Sequence, residues 1–218
     1  MLPAILIPGI NMNRIVTAWI PSPAKKLIKH YIGWNTGPVS ASRHWVRIVM
    51  DKETALFMKT LNPSTIDAVE ISGNDKWKNF GFRSYRSLNY PDFDICQSST
   101  EIKYDLLIAE QVLEHVLNPR TALQNMYNCL KPGGILFIST PFLIRIHGYP
   151  VDVSRWTELG MKGLLHETGF DVFHLQSWGN RQCVIANLCD EWILYKPRIH
   201  SLQNDPRFPV VVWAFARR

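Results

Sequence analysis

Cysteine is scarce and never closely spaced: Cys96, Cys129, Cys183 and Cys189 are four in 218 residues, and no two form a CxxC pair. That spacing excludes a zinc ribbon or a disulfide scaffold. Reduced, buried thiols in a cytoplasmic protein fit instead. No other metal-ligand spacing stands out, and no metal is expected. Charge is thin as well, at 19%, against 46% hydrophobic and 11% aromatic residues, a balance that excludes intrinsic disorder. Long apolar runs are missing. The opening MLPAILIPGI is interrupted by Pro3 and Pro8 and follows no basic segment, so neither a signal peptide nor a membrane span is expected. There is no internal repeat, low-complexity tract or long basic run. Neither a membrane nor a nucleic acid is therefore expected as a partner.

A chain of this length buries about 70% of its unfolded surface, enough for one main domain without staples. Net charge is +6, and residues 14–60 carry Arg14, Lys25, Lys26, Lys29, Arg43, Arg47, Lys52 and Lys59 against only Asp51 and Glu53. Such an excess attracts an anionic substrate, nucleic acid or membrane face, or simply solvates a helix face.

The periodicity divides the chain in two. Residues 1–62 read as an N-terminal helical extension or lid, with a lysine-rich helix over 24–32. A second helix begins near Ser42 and is stopped by Asn62-Pro63. From residue 63 to 218, short apolar runs alternate with helical patterns. Strands are expected over 66–71, 85–88, 93–96, 104–109, 135–139, 170–175 and 209–216. Helices are expected after the Asn118-Pro119 cap and over 157–168, with Gly169 placed for a left-handed C-terminus. This alternation defines an α/β open sheet, in which a ligand binds beyond the carboxyl ends of the strands.

Those ends carry the candidate residues. Glu70-Ile71-Ser72-Gly73-Asn74 closes the first strand, and a glycine there lets a ligand approach the backbone. Asn89 lies nineteen positions beyond Glu70, where dinucleotide folds place a ribose-binding acid; Asp92 and Asp94 follow. Ala109-Glu110-Gln111 leads from a buried strand directly into a short helix, whose free N–H groups would face the cleft near Glu110 and Gln111. A nicotinamide dinucleotide is disfavoured, because only Gly73 of a GxGxxG phosphate cradle is present.

Two blocks, AEQVLEHV at 109–116 and LKPGGILFISTP at 130–141, resemble the fourth and fifth strand regions of class I S-adenosylmethionine-dependent methyltransferases of the small-molecule type. The likeness covers about residues 65–175. It implies a Rossmann-like seven-stranded sheet of order 3-2-1-4-5-7-6, strand seven antiparallel, and S-adenosyl-L-methionine as cofactor. Glu70, Ser72, Gly73, Asn89, Asp94, Ala109, Glu110 and Gln111 would form the cofactor site. Ser72 and Asn74 replace the family's glycines, and Asn89 its acid.

The stretch from Thr140 to Trp156 is similar to the PFxxxxH…PxDxxRxT segment of many such enzymes, and Thr157 completes it. Methyl transfer needs an aligned nucleophile, deprotonated where it is a hydroxyl. With an ordinary pKa of about 6.5, His147 is the candidate base and Asp152 its orienter or substitute. Arg145, Tyr149, Arg155 and Trp156 are candidates for the acceptor pocket. Asp152 and Arg155 equally suit an i,i+3 ion pair, and His115 a packed structural role. Trp178-Gly179-Asn180 suits a pocket rim or a turn. The expected reaction is methylation of a small acceptor, at an oxygen of a sugar, carboxylate or phosphorylated metabolite. The alternatives are an N-methyltransferase and a catalytically degenerate binding scaffold. A homodimer is a further expectation.

Overall fold

A computed structural model describes residues 44–218 apart from 74, 149, 150, 190 and 191. The expected helix over 24–32, Asn74 and Tyr149 therefore lie outside the described residues.

A turn of 3-10 helix, Trp45–Arg47, leads into α1 (Ile48–Thr60). The sheet elements follow: β1 (Asp67–Ile71), β2 (Ser84–Leu88) and β3 (Tyr104–Glu110). Next come α2 (Pro119–Cys129), β4 (Leu130–Pro141), α3 (Glu158–Glu167), β5 (Asp171–Trp178), α4 (Arg181–Cys189) and β6 (Val211–Arg217). The strands form one sheet of order β2-β1-β3-β4-β6-β5. The β2, β1, β3 and β4 neighbours are parallel, and β6 runs antiparallel to both β4 and β5.

Among the described residues six strands stand where seven were expected. The missing one is 93–96, because turn chemistry wins there. Asn89 O accepts the Phe93 N–H at 2.9 Å, and the Asp94 carboxylate accepts the Cys96 N–H at 2.8 Å. Such Asp-anchored turns divert the backbone from a sheet ladder.

Strand periodicity sorts side chains to two faces. Val69, Ile71, Leu107, Ala109, Leu136, Ile138, Val212 and Ala214 pack with Leu123 and Met126 of α2 and Leu165 of α3. Their alternates Ala68, Leu106, Ile108, Phe137, Trp213 and Phe215 pack with Trp45, Met50 and Met58, and with Cys183 of α4. Phe57 of α1 lies on Phe215, with ring centroids 4.0 Å apart. Both sheet faces are thus covered, which explains why the central strands read as unbroken apolar runs.

The punctuation operates as expected at three points. Asn118 Oδ1 accepts the Thr121 N–H at 3.5 Å at the start of α2. Thr157 Oγ1 accepts the Gly160 N–H at 3.1 Å at the start of α3, and Gly169 is left-handed at φ 92° just beyond its end. Cys129 and Cys183 are buried, Cys96 is half-buried, and Cys189 is exposed, against the expectation of core thiols throughout. Neither Trp178 nor Asn180 lines either of the two cavities described below. Trp178 Nε1 donates to Leu202 O at 3.0 Å, and Asn180 Nδ2 donates to Ser201 O and Gln203 O at 3.1 Å each, pinning that loop.

Candidate active site

The order of the sheet reverses between β1 and β3, and the crevice that this creates at their carboxyl ends holds a cavity of about 620 Å³. Ser72 and Gly73 line it after β1, Asn89 and Asp94 after β2, and Gln111, Val112 and His115 after β3. A second cavity of about 230 Å³ is lined by Val46, Arg47, Gln111, His115, Pro141, Ile144, His147, Trp192, Val210 and Val211. Gln111 and His115 belong to both linings, so the two hollows share a wall.

The turn after β1 is built with less glycine than its chemistry suggests. Ser72, not Gly73, takes the left-handed backbone, at φ 51°. Its N–H donates to Leu88 O at 2.8 Å, and its Oγ accepts the Tyr90 N–H at 3.4 Å. Gly73 is needed for space: a Cβ there would come within 3.0 Å of the Glu70 carboxyl group. Glu70 is buried and accepts the Tyr85 hydroxyl. Burial raises its pKa against the opposing effect of that hydrogen bond. Glu70 therefore supports the turn from beneath and does not line the cavity.

Gln111 is also left-handed, at φ 58°. Its N–H donates to Ser139 O at 2.9 Å and its Nε2 to Ser139 Oγ at 3.0 Å. Non-glycine residues in this region cost of order 1–3 kcal/mol and cluster at ligand sites. Here two such residues sit at the mouths of adjacent strands.

Ala109 and Glu110 part from Gln111. Alternation sends Ala109 into the core against Val69 and Ile71. Glu110 goes to the opposite face, where it pairs with Arg47, with Lys76 Nζ at 2.9 Å and with Trp77 Nε1 at 2.8 Å. Lys76 also reaches Asp51 of α1 at 2.7 Å. Desolvation lowers the Lys76 pKa to about 8, against the raising effect of Asp51. This ion cluster ties α1 to the sheet and takes Glu110 out of the cofactor cleft. Asp94 lines the cleft with both oxygens engaged, one by Cys96 N–H and one by Gln97 Nε2 at 3.0 Å. Asn89 Oδ1 accepts the Ser87 hydroxyl at 3.2 Å.

Beside the smaller cavity the chain folds back over the turn at Leu113–His115. Val153 N–H donates to Glu114 O at 2.9 Å, and His115 Nδ1 lies 2.5 Å from Val151 O. His147 thereby meets His115 edge-on, with ring centroids 5.2 Å apart, and Trp192 at 5.3 Å. Asp152 Oδ2 accepts the His147 backbone N–H at 2.8 Å and lies 3.0 Å from its Nδ1. Arg155 clamps both Asp152 oxygens. That pairing, ahead of the His147 contacts, lowers the Asp152 pKa to about 2. Burial lowers the His147 pKa although Asp152 opposes it.

The expected acceptor residues divide. Arg155 holds Asp152, and Trp156 packs against the apolar core. Arg145 donates to Asn187 O at 3.5 Å and lies over the Trp192 ring at 5.4 Å. None of the three lines either cavity. Val46, Arg47, Trp192, Val210 and Val211 do line the smaller one, and the sequence carries no local signal for them. Glu114 is the other residue that sequence reasoning passed over. Its side chain is fully buried, neither oxygen has a hydrogen-bond partner among the described residues, and burial pushes its pKa up to about 8. The adjacency of Glu114 and His115 was visible; their closeness to His147 was not.

A mostly parallel sheet with an inserted antiparallel strand, and a crevice at its switch point, defines the class I methyltransferase fold. The family described as a methyltransferase domain matches residues 31–178, and the chain belongs to it. Among curated relatives, a ubiquinone biosynthesis O-methyltransferase of Glaesserella parasuis serovar 5 is 43% identical over 58 residues, covering 26% of this chain and 24% of the relative. The Coxiella burnetii protein of the same name is 26% identical over 130 residues, covering 47% and 55%. These matches therefore span about a quarter to a half of the relatives' length. Among solved structures, an S-adenosylmethionine-dependent methyltransferase from Mesorhizobium loti aligns with a TM-score of 0.51 at 15% identity, over 75% of this chain and 96% of that one. The cyclase SpnF aligns equally well, at 0.51 and 12% identity over 85% of each chain. At such identities the likeness concerns the fold, and one fold carries many chemistries. No helix among the described residues is long and apolar enough to cross a membrane.

Proposed function

We propose that the chain binds S-adenosyl-L-methionine in the larger cavity and methylates a hydroxyl of a small acceptor held in the smaller one. The observation that carries this reading is the pair of hollows sharing Gln111 and His115 as a common wall. A volume of about 620 Å³ lies within the ordinary range for a cofactor-sized ligand. Ser72, Gly73 and Gln111 would hold the methionine end of the cofactor, and Asn89 its ribose. When bound, S-adenosylmethionine supplies an activated methyl group on a sulfonium centre.

The protein's part is to place the acceptor and remove its proton. Asp152, kept ionised by Arg155, puts a negative charge 3.0 Å from Nδ1 of His147 without a hydrogen bond to it; that charge favours the proton on Nδ1 and Nε2 as the base. A hydroxyl needs this help, whereas a neutral amine does not, which favours oxygen as the acceptor atom. Val46, Pro141, Ile144, Val210, Val211 and Trp192 give the pocket an apolar lining, and its one cation among the described lining residues, Arg47, is paired with Glu110. That lining suits an apolar, ring-sized body carrying a hydroxyl better than a sugar or phosphate ester. The curated relatives named above are O-methyltransferases.

Calorimetry with S-adenosylmethionine, followed by methyl-label transfer to matched phenol and aniline acceptors, tests the proposal. Micromolar cofactor binding with transfer to the phenols is the expected result. The absence of binding at millimolar cofactor, or transfer to the anilines alone, overturns it.

A further inference from the structure

We propose that Glu114, His115 and His147 hold a divalent transition-metal cation at the seam between the two cavities. Their candidate ligand atoms all lie within 4.8 Å of one another. Glu114 Oε1 is 3.7 Å from His115 Nε2 and 3.9 Å from His147 Nε2. Ligands in a tetrahedral site with bonds of about 2.1 Å stand about 3.4 Å apart, so small side-chain rotations complete the set.

Two independent features point to a cation. Glu114 is a fully buried carboxyl group with no hydrogen-bond donor on either oxygen among the described residues, an arrangement that costs stability unless something positive satisfies it. His115, moreover, is set up as a ligand from behind. The Val151 carbonyl can only accept, so it holds the proton of His115 on Nδ1 and turns the Nε2 lone pair outward. Asp152 makes no hydrogen bond to His147 Nδ1, but places its negative charge 3.0 Å behind that ring. A carbonyl or carboxylate behind a ligating histidine is the usual support of a metal site. Two nitrogens and one carboxylate favour zinc, manganese, iron or cobalt over calcium or magnesium. Three protein ligands leave a position for an exogenous oxygen, and His115 and His147 both line the acceptor pocket.

The existence of this site rests on its own geometry. Its role rests on the O-methylation reading. A hydroxyl bound at the open position loses its proton more easily: the O–H bond breaks, the pair stays on oxygen, and the proton passes to solvent. His147 then holds the cation and no longer acts as the base.

The test uses the full chain, stripped with a chelator and titrated with zinc(II) or manganese(II) alone by calorimetry, with elemental analysis after gel filtration. One equivalent should bind, and cobalt(II) should give ligand-field bands of a nitrogen- and oxygen-ligated ion. Glu114→Gln and His115→Ala should lose the ion while retaining the wild-type circular dichroism spectrum. Asp152→Asn should weaken binding about 10–100-fold by removing the support behind His147. Failure to bind, or binding unchanged in Glu114→Gln and His115→Ala, overturns the site. Undiminished transfer by protein that takes up no cation removes the metal and leaves the O-methylation reading intact. Stoichiometric metal in a protein that binds S-adenosylmethionine but methylates no hydroxyl does the reverse.

Discussion

Gly73→Ala isolates one contact on which the cofactor cleft depends. Gly73 has no left-handed backbone to protect, since Ser72 carries the positive φ, so the substitution is a test of space alone. The new methyl group would come within 3.0 Å of three Glu70 side-chain atoms. Glu70 has little room to retreat: it is 1% exposed and holds the Tyr85 hydroxyl. Overpacking of this kind costs about 1–3 kcal/mol. If Glu70 is the obstacle, Glu70→Ala in the same chain removes most of the added cost, giving a coupling of about 0.5–3 kcal/mol between the two positions. Urea denaturation of the wild type, both single variants and the double variant measures that coupling. S-adenosylmethionine affinity should fall in Gly73→Ala, because the displaced turn lines the cleft, and should recover in part in the double variant. Additive costs, within about 0.5 kcal/mol, would refute the steric argument.

Three further outcomes follow from the site. His147→Ala should lower turnover by about 10²–10⁴-fold with S-adenosylmethionine affinity unchanged; a near-wild-type rate in a single-turnover assay rules His147 out. Transfer should also depend on pH. Burial lowers the His147 pKa from its ordinary 6.5, so activity should be full at neutral pH and fall only as the pH drops below that value. Asp152→Asn removes the charge that opposes the shift, so the midpoint of the profile should move still lower; an upward move contradicts the assignment. Lastly, Glu110→Ala leaves the buried Lys76 without one of its carboxylates and should cost about 3–5 kcal/mol in chemical denaturation. Because Glu110 faces α1 and not the cleft, the folded fraction should still bind S-adenosylmethionine, and loss of binding at full folding would count against that placement.

Short-range physics was enough to read much of this chain from sequence. Apolar runs bounded by turn residues locate β1, β3, β4 and β6, and Asn118, Thr157 and Gly169 mark helix ends, because caps and strand periodicity depend on a few consecutive residues. The same locality exposed Ser72, Gly73, Asn89 and Gln111, which the parallel sheet brings to one crevice. Tertiary structure decided the rest. Strand alternation, combined with what covers each face, sends Ala109 into the core and Glu110 to α1, though they adjoin Gln111. The i,i+3 spacing already offered the Asp152–Arg155 pair that the structure forms, but only the fold set Asp152 against the backbone of His147. Trp192, Val210 and the 3-10 turn before α1 reach the smaller cavity only by long-range packing. Glu114 and His115 stand side by side in the chain, yet their approach to His147 follows from a loop folded back over a 3-10 turn. A linear spacing of thirty-odd residues does not encode that distance; packing and backbone hydrogen bonds do.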